Sequence, residues 1–321
     1  MWIVLAILVL ASGTGAWLLF QMACSRTGGP LGRLLPLLLH SDGNPIDAHS
    51  EVIEQGKAWH AAQNWESVSI QSHDGLTLRG AYLPHPQAKR AILCVHGYHG
   101  SAERDFSGAM ADFYAMGSSL LLIDQRAHGK SEGRYTTFGV LERKDVQAWA
   151  QYYETRTGGA IPMVLDGISM GAATVLMAGE LDMPPSVSGV IADCGYTAPV
   201  EQLHHVVENM LHAKAFPALQ LVRGMARLQG GFSLSGASAR KGAAAWERPV
   251  LFVHGLSDTF VPPWMSEENF KACKGPKDIY LVEGAEHGLS YLVDKAGVSE
   301  KLSHLFAAAD RYFDENHAKK R

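Results

Sequence analysis

One stretch of the sequence decides the fold, and it reads Asp166-Gly167-Ile168-Ser169-Met170-Gly171-Ala172. It contains the pattern G-x-S-x-G and stands between an apolar run at 161–165 and a helix-like segment at 172–181. Glycine is needed two residues before and after the serine if a strained turn brings strand and helix so close that side chains would clash. The pattern therefore predicts a strand, a sharp turn at Ser169 and a helix. Taken alone, the motif also fits a serine that merely caps a helix.

The same alternation of short apolar strands and helix-like segments continues on both sides of this turn. Strands rich in Val, Ile and Leu that alternate with helices indicate a mostly parallel sheet covered on both faces. An Asp-Gly turn between two alternating runs, at 67–82, predicts a hairpin ahead of that sheet. The predicted strands are 91–95, 120–123, 161–165, 187–192, 250–253 and 279–282, and the predicted helices are 102–116, 139–155, 172–181, 264–272 and 299–316.

Composition limits the classes of protein that the chain can represent. Its 321 residues are enough for one large α/β domain, with 47% apolar and 19% charged residues. A net charge of -4 leaves no basic excess, so we expect no nucleic-acid partner. The four cysteines lack C-x-x-C spacing, and no G-x-G-x-x-G or Walker-type loop is present in the catalytic part, so we predict neither a metal site nor an organic cofactor.

Three residues that follow predicted strands carry the candidate chemistry. The carboxyl ends of parallel strands meet at one edge of a sheet, where ligands bind. Asp258 follows the strand at 250–253, and His287 follows the strand at 279–282. The chain order Ser169, Asp258, His287 is that of a catalytic triad, in which the histidine takes the proton of the serine and the aspartate holds the imidazole. Asp193, at the end of the strand at 187–192, is the alternative acid.

Two main-chain amides are predicted to stabilise a developing oxyanion. Met170 follows the serine at the start of its helix, where the dipole also favours negative charge. The second donor is expected from the loop after the strand at 91–95, which reads His96-Gly97-Tyr98, and Tyr98 is our candidate. We interpret His96 as a structural residue hydrogen-bonded beneath that loop, rather than as a base.

These motifs together resemble the α/β-hydrolase superfamily from about Ser67 to the end of the chain. A further stretch at 124–133 is similar to the superfamily's D-x-R-G-H-G-x-S-x-G loop, with Ala127 in place of a glycine. The blocks at 191–196 and 250–255, with the amino-terminal segment, resemble membrane-anchored bacterial serine hydrolases similar to serine aminopeptidases and carboxylesterases. The resemblance implies hydrolysis of a carboxylic ester, thioester or amide through an acyl-serine intermediate. An acyltransferase with the same triad and a catalytically silent binding module are the alternatives.

A helical lid is predicted where the strand-helix rhythm breaks, at about 197–248. Residues 200–228 carry apolar side chains at mixed spacings of three and four. With the anchor described next, they lead us to expect an apolar acyl substrate of small-molecule size; its binding residues and the oligomeric state stay open. His204, Glu208 and His212 would share one helix face and could hold a metal, but without H-E-x-x-H we interpret them as solvated. The apolar lid residues are Leu211, Phe216, Leu219, Leu221 and Val222.

The amino-terminal segment differs sharply from the rest of the chain. Residues 2–23 include no charged side chain, and about 20 such residues cross roughly 30 Å of hydrocarbon. We predict a single-pass transmembrane signal anchor at 1–24, a membrane-proximal tether at 25–66 and the hydrolase domain at 67–321. A cleaved signal peptide is disfavoured because no basic residue precedes the apolar run. Lipidation of Cys24 is disfavoured because Gln21 stands where a lipobox usually has Leu.

The side of the membrane that holds the catalytic domain is weakly specified by the sequence. Arg26 and Arg33 follow the apolar run and by the positive-inside rule favour a cytoplasmic domain. A bacterial signal anchor, by contrast, usually places its body outside the cytoplasm. The two arguments conflict, and we predict an extracytoplasmic domain.

Overall fold

An eight-stranded sheet forms the centre of the computed structural model, which describes residues 2–32 and 45–318. The strands are β1 (Glu66–Gln71), β2 (Thr77–Leu83), β3 (Arg90–Val95), β4 (Ser118–Ile123), β5 (Met163–Ile168), β6 (Val187–Asp193), β7 (Val250–Gly255) and β8 (Lys277–Val282). Their order in the sheet is β1-β2-β4-β3-β5-β6-β7-β8. β2 runs antiparallel to β1 and β4, and the other neighbours pair in parallel. The predicted mostly parallel sheet and its leading hairpin are confirmed.

Helices cover both faces of this sheet, as predicted. Successive strand residues point to opposite faces, so Leu93 of β3 belongs to one apolar core while Ile92 and Cys94 belong to the other. The helices are α1 (Trp2–Cys24), α2 (Ser50–Ala61), α3 (Ala102–Asp105), α4 (Met110–Ala115), α5 (Glu142–Thr157), α6 (Met170–Met177), α7 (Pro199–His205), α8 (Ala218–Leu228), α9 (Ala239–Ala245), α10 (Trp264–Ala272), α11 (Ser290–Val293) and α12 (Lys295–Ala318).

The predicted helix at 102–116 is two short helices, α3 and α4, with Gly108 between them. Glycine is a poor helix former, and the region between α3 and α4 also accommodates α2. A Cβ on Gly56 of α2 would lie 1.9 Å from the main-chain oxygen of Ser107, so backbone packs directly on backbone here. Residues 50–61, which the sequence places in the tether, thus pack against the body of the α/β domain.

The lid region between β6 and β7 is also more broken than its apolar spacing suggests. α7 passes into a π-helical turn at Val206–Met210, and His212 then adopts a positive φ of 48°. Pro217 stands at the start of α8, where its missing N–H is tolerated, but it could not continue a helix from upstream. The region is therefore two helices joined by an irregular turn, and not one helix over 200–228.

Helix α1 packs on the body of the α/β domain through its last nine residues. Ala16, Phe20 and Cys24 are buried, and the ring centroids of Phe20 and Tyr135 lie 4.9 Å apart. Within residues 2–32 and 45–318, no helix meets the length and hydropathy criteria for a membrane span, so the transmembrane prediction is not confirmed. Part of the predicted tether, residues 33–44 with Arg33, lies outside the described residues.

Candidate active site

Ser169 lies at a sharp turn between β5 and α6. Its backbone has φ 58° and ψ −116°, a strained conformation for a residue with a side chain. A Cβ on Gly167 would lie 2.3 Å from the backbone of Gly171, and one on Gly171 would lie 1.9 Å from the main-chain oxygen of Val95. Both glycines of the G-x-S-x-G pattern are therefore required by close backbone approach, as predicted.

The structure brings Ser169, His287 and Asp258 into one chain of hydrogen bonds. Nε2 of His287 lies 2.8 Å from Oγ of Ser169, and its Nδ1 lies 2.6 Å from Oδ2 of Asp258. Because an ionised carboxylate only accepts, Nδ1 carries the proton and Nε2 is free to accept the serine hydroxyl proton. Oδ1 of Asp258 accepts two main-chain N–H groups, from Phe260 and Val261, each at 2.9 Å.

A buried histidine behind Asp258, His254, is a residue that the sequence analysis missed. Its Nε2 lies 3.2 Å from Oδ2 of Asp258 and 2.7 Å from the main-chain oxygen of Val261, so this nitrogen carries the proton. Its Nδ1 accepts the hydroxyl of Ser266 at 2.6 Å. The available signal was the repeat of one pattern: His254-Gly255 follows the predicted strand at 250–253 just as His96-Gly97 follows the predicted strand at 91–95.

The surroundings of Asp258 favour its charged form. Burial by itself raises the pKa of this carboxyl, but the charge of His287 and the hydrogen bonds from His254 and His287 outweigh burial. The pKa of Asp258 therefore lies below its ordinary value. An acceptor that stays ionised fixes the tautomer of His287.

Asp193, the alternative acid, is occupied elsewhere. Its Oδ1 accepts the hydroxyl of Ser290 at 3.1 Å, and its main-chain oxygen accepts the N–H of Ser169 at 2.8 Å. Burial raises the pKa of Asp193 to about 6. The carboxylate hydrogen-bonded to His287 is that of Asp258.

The loop after β3 is held from below, as predicted for His96. This histidine is fully buried; its Nε2 accepts the N–H of Gln125 at 3.1 Å and its Nδ1 donates to the main-chain oxygen of Gly97 at 2.7 Å. The structural role of His96 is confirmed. Asp105, which the sequence analysis missed, accepts the N–H of Gly97 at 2.8 Å and fixes the loop from the other side.

The two candidate oxyanion donors are the main-chain amides of Met170 and Tyr98. Met170 opens α6, so its N–H has no acceptor inside the helix. Tyr98 lines a cavity together with Met170 and Ser169. The Tyr98 hydroxyl donates to the main-chain oxygen of Ala23 at 2.8 Å, and its ring stacks on Phe138 with centroids 5.4 Å apart. The oxyanion loop is therefore tied to the end of α1.

Comparison with known proteins agrees with the observed fold. A family model described as serine aminopeptidase, S33, matches residues 86–224. The protein YqkD of Bacillus subtilis is 28% identical over 223 residues, covering 69% of this chain and 72% of its own. The esterase Pf2001 of Pyrococcus furiosus matches with a TM-score of 0.60 at 18% identity, over 85% of this chain and 98% of that chain. The chain is an α/β-hydrolase.

Further comparisons agree with the same fold. Rv2307c of Mycobacterium tuberculosis is 26% identical over 263 residues, covering 80% of this chain and 82% of its own. Est1E of Butyrivibrio proteoclasticus shares the fold, with a TM-score of 0.57 at 19% identity over 75% of this chain and 99% of that chain. Est1E has also been solved with ferulic acid bound.

Two cavities of the hydrolase meet at Ser169. The first, which we name the histidine cavity, has a volume of about 380 Å³ and is lined by His287, Arg104, Asp105 and Tyr291 among others. The second, which we name the lid cavity, has a volume of about 240 Å³. It lies between α1, the lid and Met170, and its apolar lining residues include Leu19, Met22, Leu203, Val207, Leu211, Leu219 and Val222.

The possible metal ligands of the lid do not share a helix face. His204 and Glu208 are exposed and lie 3.3 Å apart, but His212 lies beyond the π-helical turn. Among the described residues, the group of three His, Cys, Asp or Glu side chains whose ligand atoms all lie within 4.8 Å of one another is Cys194, Asp258 and His287. Two of these belong to the hydrogen-bonded chain at Ser169.

Proposed function

We propose that the hydrolase cleaves a carboxylic ester or thioester, or an amide, through an acyl-serine intermediate on Ser169. The observation that carries the proposal is the continuous chain from Asp258 through His287 to Ser169, with distances of 2.6 and 2.8 Å. A nucleophile bonded to a base, and a base oriented by a third group, is the arrangement that acyl transfer to serine needs.

The proposed reaction proceeds in two halves. As Oγ of Ser169 attacks the carbonyl carbon, Nε2 of His287 takes its proton, and the amides of Met170 and Tyr98 donate to the oxyanion. The tetrahedral species collapses, the leaving group takes the proton from His287, and the acyl group stays on Ser169. Water then attacks the acyl-serine with His287 as base, which frees the carboxylic acid and restores the serine.

Covalent labelling with a fluorophosphonate probe tests the role of Ser169. We expect Ser169→Ala to lose labelling and to lower ester hydrolysis by a factor on the order of 10⁴ or more, because the nucleophile is gone. Ser303→Ala, which changes an exposed serine on α12, serves as the matched control and should label as the wild type does. Folded wild-type protein that takes up no label would contradict the proposal.

Acyl transfer to an acceptor other than water would use the same residues. Product analysis with competing alcohols and amines separates the two reactions: hydrolysis gives free acid at every acceptor concentration. Accumulation of a transfer product at low acceptor concentration would favour a transferase.

The lid supports an apolar acyl group as substrate. Of the five apolar lid residues singled out in the sequence, Leu211, Leu219 and Val222 line the lid cavity beside Ser169. The other two, Phe216 and Leu221, are exposed. We propose that the acyl group is apolar and is met near a membrane. A strict preference for short, charged acyl groups in a panel of esters would contradict this part of the proposal.

We also propose that α1 attaches the hydrolase to a membrane. Residues 16–24 of the helix pack on the body, and residues 2–15 carry no charged side chain. A helical segment without charge supports contact with the hydrocarbon of a bilayer. Fractionation of cells, with protease treatment of intact cells and spheroplasts, tests the attachment and our prediction of an extracytoplasmic domain.

A further inference from the structure

We infer that the end of α1 is a wall of the acyl-binding site and sets the length of acyl chain that the hydrolase accepts. Leu19, Met22 and Ala23 line the lid cavity together with Ser169 and Met170. The inference rests on the proposed function and deepens it, since it names the cavity that holds the acyl group and the element that limits it.

Helix α1 is fixed to the active site by contacts at its last turn and just beyond it. The Tyr98 hydroxyl donates to the main-chain oxygen of Ala23, and the N–H of Thr136 donates to the main-chain oxygen of Cys24 at 2.8 Å. The guanidinium of Arg26 donates to the main-chain oxygen of Ser131 at 2.7 Å. These acceptors and donors lie in the loops that follow β3 and β4, so α1 is held as part of the site.

The direction of proton transfer indicates which cavity holds the leaving group and which holds the acyl group. His287 must deliver a proton to the leaving group, so the leaving group lies on the side of Ser169 that His287 faces. His287 lines the histidine cavity, whereas the lid cavity contains Met170, the oxyanion donor, and not His287. The leaving group therefore occupies the histidine cavity, and the acyl group extends into the lid cavity.

The chemistry of the lid cavity fits a saturated chain of moderate length. Its walls are mostly apolar. The polar lining residues are Ser169 itself, Tyr98 and Tyr196, whose hydroxyls donate to main-chain oxygens, Gln202, whose amide donates to the Phe260 oxygen, and Lys214, which is exposed. A volume of about 240 Å³ leaves room for an acyl chain of several carbons. The substrate class is a medium-chain acyl ester or thioester.

Opposed substitutions at Leu19 test the inference in the full-length chain. We expect Leu19→Trp to lower the ratio of kcat/KM for the octanoyl ester over the butanoyl ester of p-nitrophenol at least tenfold, since the larger ring fills the cavity. Leu19→Ala should raise the ratio of dodecanoyl over octanoyl ester several-fold. Leu18→Trp and Leu18→Ala are the matched controls, because the neighbouring leucine is partly buried and does not line the cavity. Both ratios should stay at their wild-type values in these controls.

A binding measurement keeps the inference separate from the proposed function. In a Ser169→Ala background, calorimetric titration with octanoate should show binding that Leu19→Trp weakens at least tenfold and Leu18→Trp leaves unchanged. If octanoate binding and both ester ratios are insensitive to Leu19 while the wild type still takes up fluorophosphonate, the inference is wrong and the proposed function stands. If the folded wild type takes up no probe but octanoate binding responds to Leu19, the cavity assignment stands and the proposed function is wrong.

Discussion

At the scale of single residues, two buried aspartates near Ser169 differ in what they contact. Asp258 accepts from the imidazole of His287 and from two main-chain amides, and its pKa is lowered. Asp193 accepts from a serine hydroxyl, and its pKa is raised by burial. Asp258 is therefore an ionised partner of His287, whereas the ionisation of Asp193 is suppressed.

This difference predicts unequal kinetic effects of the same substitution. Asp258→Asn should lower kcat for p-nitrophenyl butyrate by a factor on the order of 10⁴, because the amide no longer holds His287 in the tautomer that accepts a proton. Asp193→Asn should keep kcat within about tenfold, since its partner is Ser290. Steady-state kinetics on both variants checks this. A larger loss in Asp193→Asn than in Asp258→Asn would reverse the assignment of the acid.

The residues that the sequence could predict are those whose position follows from a strand end. Ser169, Asp258 and His287 each follow a strand, so parallel topology alone gathers them, and their roles stay predictions. His254 and Asp105 could not be found this way, because their importance lies in which buried group each one faces. The partner of a buried side chain depends on the packed geometry, which a linear pattern does not contain.

At the scale of secondary structure elements, β5 and β6 place two buried carboxyls on neighbouring strands. Asp166 pairs in register with Ile191, and Ile168 pairs with Asp193. Burial raises the pKa of Asp166, and the nearby Asp193 raises it further. Two carboxyls that resist ionisation in the folded chain ionise freely in the unfolded chain, so this part of the sheet favours unfolding as the pH rises.

The raised pKa of Asp193 predicts a pH dependence of stability with a definite sign. Its pKa of about 6 in the fold exceeds the ordinary value of 3.8, so its neutral form stabilises the fold below about pH 4 and this stabilisation is lost by about pH 6. We compare the free energy of unfolding of Asp193→Asn with that of the wild type at two pH values. Relative to the wild type, the variant should be more stable at pH 8 than at pH 4 by up to about 3 kcal/mol. Urea unfolding at both pH values measures the gain. An equal offset at the two pH values would contradict the prediction.

The elements themselves were predicted to different degrees, for physical reasons. Strands β3 to β7 were found because they are buried on both faces and read as apolar runs, as in β3 and β6. The lid was predicted as one helical stretch because its apolar spacing extends past Pro217, whose backbone chemistry breaks the helix. The packing of α1 and α2 on the body could not be predicted, since an apolar run does not reveal whether lipid or protein covers it.

At the scale of the whole molecule, one arginine joins the hairpin to the helical layer. Arg126 pairs with both carboxylate oxygens of Asp145 on α5, at 2.6 and 2.7 Å, and with Asp74 in the hairpin turn, at 2.9 and 3.1 Å. Arg126 and Asp145 are buried. The loop that resembles the superfamily's D-x-R motif thus holds two distant parts of the fold together.

Removing this arginine should lower the free energy of unfolding far more than removing an exposed arginine. Arg126→Met leaves the buried carboxylate of Asp145 uncompensated, and we expect the free energy of unfolding to fall by about 3–5 kcal/mol. Arg156→Met, which removes the exposed pair with Glu66, is the matched control and should cost about 1 kcal/mol or less. Urea denaturation followed by circular dichroism gives both values. Equal losses of unfolding free energy in the two variants would show that the buried pairing of Arg126 does not stabilise the fold more than the exposed pair does.

The hydrogen bond between the Tyr98 hydroxyl and the main-chain oxygen of Ala23 joins α1 to the loop after β3. If residues 1–24 served only in targeting, a chain that lacks them would keep its full catalytic unit. Here the shortened chain would lose the acceptor for Tyr98, the ring that packs on Tyr135 and one side of the lid cavity. If α1 both attaches the hydrolase to a membrane and forms a wall of the acyl site, as we propose, localisation and substrate choice evolve under a shared constraint, because a change in the helix that suits a new membrane also reshapes the site.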